Sequence, residues 1–121
     1  CGTHYPTPDG TCGRDYGHGD DTAAAHALAL GAARPGEYIA YNVGIGRGYS
    51  VREVLQSVER VSGKRLNVRE EPRREGDPPV LVAKADRIKK VLGWTPAHDD
   101  LDQIVRSSLA WEQKLVAQPW A

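Results

Sequence analysis

The sequence predicts an α/β fold (mixed α+β) with short strands and about four helices. Two observations carry this prediction. Apolar stretches bounded by glycine or proline alternate along the chain with segments that repeat apolar residues at helical spacing. Several of the helical segments also begin at a residue that can cap a helix and end at a glycine. At 121 residues, the chain is a single domain large enough to fold without a disulfide or a metal ion.

The first and third predicted helices are short. Residues 23–30 are strong helix formers, with Asp20 or Asp21 available as the N-cap and Gly31 expected to end the helix. The third helix covers residues 85–93, which also end in a glycine. Both helices are therefore predicted from composition together with a start or stop signal.

The second and fourth predicted helices begin at capping boxes. Residues 50–62 start with Ser50 and Glu53, and their valines fall on one helical face. The last helix starts with Asp100 and Gln103 at the same spacing. In this motif, side chains satisfy backbone N–H groups that the first turn leaves without a partner, so the spacing predicts where each helix begins.

Three segments are predicted to be strands. Residues 37–44 are apolar, aromatic and β-branched and lie between glycines, which is typical of a buried strand. Residues 65–71 alternate apolar and polar side chains, which predicts a half-buried strand. Residues 80–83 form a short apolar strand candidate.

Charge and hydropathy exclude several classes of protein. Sixteen basic residues balance sixteen acidic ones, so no net charge draws the chain to nucleic acid or to an anionic membrane. We find no apolar run long enough to span a membrane and no signal-type segment, and we expect a soluble, cytoplasmic protein. The two cysteines are expected to be thiols. The sequence contains no methionine, which favours a piece of a longer protein.

The first eighteen residues contain a complete set of zinc-ligand types. Cys1, His4, Cys12 and His18 supply two thiols and two imidazoles. Zinc sites, however, usually present their ligands in close pairs, and the spacing of Cys12 and His18 matches no common structural site. We therefore expect no bound metal, and a small zinc-binding protein remains an alternative.

A glycine-rich turn at residues 44–48 precedes the second helix. Strand, glycine-rich turn and helix is the order in which dinucleotide-binding proteins present backbone amides to a pyrophosphate. The spacing, however, is G-x-G-x-G rather than G-x-G-x-x-G, and Arg47 and Tyr49 occupy positions where small residues are needed. We therefore expect an ordinary strand-to-helix turn with no bound cofactor.

Several blocks of the sequence carry a family resemblance. In this order, the segments are YPTPDGTCGRDYGH, AHALAL, YNVGIGRGYSVREV, RREGDPPVLVA, VLGW and DDLDQIVRSSLAWEQK. Together they resemble the C-terminal third of the UDP-glucose 4-epimerases, which are extended short-chain dehydrogenases/reductases. The resemblance covers nearly the whole chain. It implies the C-terminal substrate-binding portion of an extended Rossmann-type epimerase.

The resemblance also implies a binding site for a UDP-sugar. Arg14 and Arg74 occupy positions where the family binds the diphosphate, a role that suits the planar, permanently charged guanidinium. Asp77 occupies a position suited to accepting hydrogen bonds from ribose hydroxyls. Without the resemblance, an ion pair with Glu75 or Asp15 is the simpler expectation for these arginines.

The catalytic half of the family is not found in this sequence. In the family, bound NAD removes and returns a hydride at the sugar C4 while a tyrosine of a Y-x-x-x-K pair acts as base. None of the five tyrosines is followed by lysine at that spacing. We expect residues 1–121 to be a single C-terminal substrate-binding region without the N-terminal NAD-binding part, inactive alone and unable to bind NAD alone. A homo-oligomer is expected, and a stand-alone binding or oligomerisation module remains an alternative.

The chain also departs from the family pattern. Gly17, Gly19 and Thr22 stand where the family usually has large aliphatic residues. Truncating a buried aliphatic side chain costs about 2–5 kcal/mol. These positions are therefore either exposed or part of a remodelled fold. Leu81 stands where some relatives place an aromatic residue against the nucleotide.

Overall fold

The computed structural model describes residues 2–118. In that range, the chain forms four helices and a small three-stranded sheet, which confirms the predicted mixed α/β fold. The helices are α1 (Gly19–Ala32), α2 (Val51–Ser62), α3 (Asp86–Leu92) and α4 (Leu101–Ala117). The strands are β1 (Gly13–Arg14), β2 (Tyr49–Ser50) and β3 (Val80–Leu81). Within the same range, none of the helices combines the length and the apolar character that crossing a membrane requires.

The sheet joins three distant parts of the chain. Its strand order is β2-β1-β3, with β1 antiparallel to β2 and parallel to β3. Gly13 in the central strand is opposite Ser50 on one side and Val80 on the other. The loops next to these strands are consequently brought together around Arg14.

The predicted starts of α2 and α4 are confirmed by their hydrogen bonds. The Ser50 hydroxyl oxygen accepts from the Glu53 N–H at 3.1 Å, and a Glu53 carboxylate oxygen accepts from the Ser50 N–H at 2.7 Å. The Asp100 carboxylate accepts from the Gln103 N–H at 3.0 Å. Helices α2 and α3 end at Gly63 and at the glycine after Leu92, with φ of 68° and 66°, a conformation that glycine adopts without strain.

Helix α1 begins earlier and ends later than predicted. Its N-cap is His18, whose Nδ1 accepts from the Asp20 N–H at 3.1 Å, so neither Asp20 nor Asp21 has this role. The Asp21 carboxylate instead accepts from two backbone N–H groups of the segment before α4. Gly31 lies inside the last turn, where the exposed backbone tolerates it.

Two of the predicted strands do not form within the described residues. Residues 37–44 contain no strand, and the Tyr38 side chain is 95% exposed. Residues 65–71 contain only one isolated bridge, from Glu71 to Gly2. A strand requires a second strand to pair with its backbone N–H and C=O groups, and no other described segment pairs with residues 37–44. In the third segment, only Val80–Leu81 forms a strand.

Two apolar clusters hold the helices together. One joins α1 to α3 and consists of Ala25, Ala85, Ile88 and Trp94. The other joins α2 and α4 to the sheet and consists of Tyr49, Leu101 and Val105. Next to the second cluster, the Asp102 carboxylate accepts from the Ser57 hydroxyl at 2.6 Å and from two guanidinium nitrogens of Arg60 at 2.9 and 2.6 Å.

The small residues that depart from the family pattern lie at the surface. Gly17, Gly19 and Thr22 are all exposed. A Cβ atom added to either glycine would have no neighbouring heavy atom within 4 Å. Their small side chains therefore leave no cavity in the core. Of the two expectations for these positions, exposure or a remodelled fold, exposure is the one found in the described residues.

Candidate functional site

A cavity of about 230 Å³ lies beside the central strand of the sheet. Three separate parts of the chain line it: the N-terminal loop, the start of α2 and the loop before β3. The lining residues include Tyr5, Cys12, Val51, Arg74 and Asp77. Arg74 and Asp77, two of the three residues predicted to bind ligand, therefore face the same space.

Arg14, the third of these residues, is tied to the cavity through Asp77. Its Nη2 lies 2.7 Å from Asp77 Oδ1. Its Nη1 donates to the backbone oxygens of Gly13 and Pro78, at 2.8 and 2.9 Å. These contacts use three of the five guanidinium N–H groups, so two remain for a ligand. In the part of the chain that the structure describes, neither Arg14 nor Arg74 forms the alternative ion pair with Asp15 or Glu75.

Arg74 lies in a tight turn between α2 and β3. The turn is closed by a long hydrogen bond from the Asp77 N–H to the Arg74 carbonyl at 3.5 Å, and Gly76 adopts φ of 78°. Within residues 2–118, the exposed Arg74 guanidinium makes neither a hydrogen bond nor an ion pair. All five of its N–H groups are therefore available to an anion in the cavity.

The Asp77 carboxylate is held by groups on both sides. Arg14 contacts its Oδ1, and the Tyr5 hydroxyl donates to its Oδ2 at 3.0 Å. Each carboxylate oxygen accepts more than one hydrogen bond. Asp77 can consequently accept from a further hydroxyl without losing either contact.

Tyr5 is the residue at this cavity that sequence reasoning missed. It is buried, and the Arg73 guanidinium lies 4.8 Å from the centre of its ring. Burial is the largest cause that raises the pKa of Tyr5, and its hydrogen bond to Asp77 acts in the same direction. Since 72 positions separate Tyr5 from Asp77, no local pattern in the sequence could have revealed the contact.

The glycine-rich turn at residues 44–48 is closed by a carboxylate. Asp15 accepts from the N–H groups of Ile45 and Gly46 at 3.0 Å each, and from the N–H of Ala83 at 3.2 Å. A Cβ atom on Gly44 would lie 2.6 Å from Asp15 Oδ2, so glycine is needed for this close approach. Asp15 thus occupies amides that a pyrophosphate-binding turn would leave open.

The potential zinc ligands have separate surroundings. His4 is exposed, Cys12 lines the cavity, and the buried His18 caps α1. Cys1 lies outside the described residues. The absence of bound metal stays a prediction.

The structure brings His18 close to two other potential ligands, Asp20 and His98, whose ligand atoms all lie within 4.8 Å of one another. The two imidazole rings are 4.5 Å apart. His18 Nδ1 already accepts from the Asp20 N–H, and His98 Nδ1 lies 2.8 Å from Gln103 Nε2. A metal ion bound through these nitrogens would compete with the helix cap.

A larger cavity, of about 390 Å³, lies along α2. Its lining includes Arg52, Glu59 and Glu70. The Arg52 guanidinium lies 3.6 Å from Glu70, and Glu59 accepts from the Leu66 N–H at 2.9 Å. The Arg52 charge therefore has a partner within the protein, unlike that of Arg74.

Comparison with known proteins extends over nearly the whole chain. The chain is 56% identical to UDP-glucose 4-epimerase of Azospirillum brasilense over 115 residues, which are 94% of this chain and 33% of that protein. The corresponding enzyme of Corynebacterium glutamicum is 44% identical, over 94% of this chain and 35% of its own length. The chain matches the C-terminal part of these epimerases. A search against protein-family models gave no match.

Solved structures of such epimerases have the same fold over this region. UDP-glucose 4-epimerase of Bifidobacterium longum, crystallised with NAD+ and UDP, aligns with a TM-score of 0.87 at 38% identity. The alignment covers 93% of this chain and 33% of that one. The epimerase of Stenotrophomonas maltophilia, with bound NAD and a formylated UDP-arabinopyranose, also aligns with a TM-score of 0.87, at 41% identity.

These similarities confirm the resemblance to an extended short-chain dehydrogenase/reductase epimerase. They also show that the small residues at positions 17 and 19 have not remodelled the fold. The chain spans about a third of the length of the curated relatives it matches.

Proposed function

We propose that this chain is the UDP-sugar-binding part of a UDP-glucose 4-epimerase, the enzyme that interconverts UDP-glucose and UDP-galactose, and that it is inactive alone. The observation that supports the proposal most directly is that one cavity is lined by Asp77 and by Arg74, whose guanidinium makes no ion pair within residues 2–118. A cation and an acceptor at one cavity match the two chemical parts of a nucleoside diphosphate, its phosphates and its ribose hydroxyls.

The two arginines have different tasks in this proposal. Arg74 is the main phosphate ligand, because its whole fork has no partner within residues 2–118 and a guanidinium matches phosphate oxygens in two-point geometry. Arg14 holds Asp77 and Pro78 in place, and its two remaining N–H groups supply further positive charge. Asp77 accepts from the ribose.

Titration of Arg74 variants tests this assignment. Arg74→Ala should weaken UDP binding by about 1.5–3 kcal/mol, the range for a hydrogen bond to a charged group, and Arg74→Lys should weaken it less. The loss should be smaller for UMP and vanish for uridine, because it depends on phosphate charge. Calorimetric titration of the three ligands measures these differences.

Arg65→Ala is the matched control, since Arg65 is an exposed arginine outside the cavity. Its affinity for UDP should equal that of the unaltered chain. Equal losses for uridine and UDP in Arg74→Ala would contradict the phosphate assignment. A folded chain that binds no UDP would contradict the proposed function itself.

A stand-alone assembly module is the second candidate, and exposed apolar side chains favour it. Tyr38 and Leu81 are 95% and 59% exposed, and Ile39, Val43 and Val80 are exposed near them in sequence. Apolar surface of this kind often marks an interface. Sedimentation velocity separates the candidates, because a stable homo-oligomer without affinity for UDP would favour the module.

A further inference from the structure

Tyr5 connects the N-terminal loop to the residues that line the cavity. Its hydroxyl donates to Asp77 Oδ2 at 3.0 Å, while Arg14 Nη2 lies 2.7 Å from Oδ1 of the same carboxylate. The two oxygens are thus held by side chains that project from different segments. This arrangement fixes both the position of the carboxylate and its rotation.

The ring of Tyr5 is itself firmly placed. A Cβ atom on Gly2 would lie 3.1 Å from Tyr5 Cε2, so the ring packs closely against the backbone there. The Tyr5 N–H donates to the Gly10 carbonyl at 2.9 Å, and the Tyr5 carbonyl accepts from the Thr7 N–H at 2.8 Å. The hydroxyl is therefore presented from a rigid loop.

Tyr5 also contacts the neighbours of Asp77. The Arg73 guanidinium lies over its ring, 4.8 Å from the centre. One side chain thereby contacts two residues, Arg73 and Asp77, of the segment that carries Arg74. Burial raises the pKa of Tyr5, so the hydroxyl keeps its proton and remains a donor at neutral pH.

We propose that Tyr5 is a positioning residue of the nucleotide site, which holds Asp77 in the orientation that accepts from the ribose hydroxyls. The inference rests on the proposed function and deepens it. Without the Tyr5 hydroxyl, Asp77 Oδ2 loses its donor and the carboxylate is held only from the Arg14 side. The carboxylate is then free to turn toward Arg14 and away from the ribose.

Tyr5→Phe tests the proposal, because it removes the hydroxyl and keeps the ring that packs against Gly2 and Arg73. Titration with UDP and with 2′,3′-dideoxy-UDP separates ribose recognition from phosphate binding. We expect Tyr5→Phe to weaken UDP binding by about tenfold, as for loss of a hydrogen bond to a charged group. Binding of the dideoxy compound should change by less than about twofold.

A double-mutant cycle provides a readout that a general loss of stability would not move. In an Asp77→Asn background, Tyr5→Phe should cause little further loss of UDP affinity, because both changes act on one contact. Tyr16→Phe is the control, since it removes the hydroxyl of a half-buried tyrosine outside the cavity lining. It should leave both affinities unchanged.

The outcomes are distinguishable. Unchanged UDP affinity in Tyr5→Phe, or equal losses for UDP and the dideoxy compound, would overturn the role of Tyr5 and leave the proposed function standing. A folded, unaltered chain that binds neither compound would overturn the proposed function and this inference with it.

Discussion

Asp15 and Asp77 are carboxylates whose partners assign them different tasks. Asp15 accepts three backbone N–H groups and closes the glycine-rich turn against the segment after β3. Asp77 is held by two side chains and lines the cavity. The first is used by backbone N–H groups of the protein itself, and the second, with one donor at each oxygen, has acceptor capacity left at the cavity. Residue type alone does not separate these roles.

Asp15→Ala should destabilise the chain by about 2–3 kcal/mol, because it leaves three backbone N–H groups without their acceptor. Asp15→Asn should cost less, since its amide oxygen still accepts. Urea unfolding measures both changes. Asp99→Ala, at an exposed aspartate, is the control and should stay within about 0.5 kcal/mol of the unaltered chain. Equal stability of Asp15→Ala and the control would refute the structural role.

At the scale of elements, α2 and α4 are joined by polar as well as apolar contacts. Asp102 on α4 accepts from Ser57 and Arg60 on α2. Hydrogen bonds from Arg60 and Ser57 lower the pKa of Asp102 to about 2, from an ordinary value of 3.8. The carboxylate is therefore charged in the folded chain at pH values where it is already protonated in the unfolded chain.

This pKa difference predicts the direction of a pH effect on stability. Because the folded-state pKa is lowered, the stabilisation is complete above the unfolded-state pKa of 3.8 and is lost as pH falls toward about 2. Asp102→Asn should consequently show a shallower loss of stability between about pH 5 and pH 2. Urea midpoints across this range test it, with Asp99→Asn as control. If the urea midpoints of Asp102→Asn and of the unaltered chain fell by the same amount as the pH is lowered, the Asp102 carboxylate would not stabilise the contact between α2 and α4.

At the scale of the whole molecule, the chain has an epimerase C-terminal fold, and two observations bear on whether it can bind NAD and catalyse alone. No tyrosine is followed by lysine at the Y-x-x-x-K spacing, and the amides of its glycine-rich turn are occupied by Asp15. Residues 37–44 have the composition of a buried strand and yet pair with no described segment. Residues 37–44 are thus an apolar stretch that has no strand partner within residues 2–118.

We expect the chain alone neither to bind NAD nor to convert UDP-galactose to UDP-glucose. The reason is the absence of an open pyrophosphate-binding turn and of the tyrosine base. Calorimetric titration with NAD and an assay for product test the two halves of the prediction. Titration with UDP is the positive control for a folded chain. Micromolar affinity for NAD, or turnover above background, would contradict it.

The sequence by itself determined the features that depend on neighbouring residues. The capping box of α2 and the Asp100 N-cap of α4 each close within three residues, whereas the Gln103 side chain contacts His98 and does not complete a box; the glycine at position 93 ends α3 through its own backbone freedom. Such interactions are encoded locally, so their spacing predicts them. The candidate residues Arg14, Arg74 and Asp77 came from a resemblance of whole blocks, not from local chemistry.

Only the tertiary structure decided which distant groups meet. The Tyr5–Asp77 contact spans 72 positions, and Asp15 closes the glycine-rich turn across 30. Residues 37–44 match a strand in composition but form none, because a strand is completed by the backbone of another segment. Hydrogen bonds between distant segments depend on the packing of the whole chain, and for that reason the sequence predicted the helices better than the sheet or the cavity.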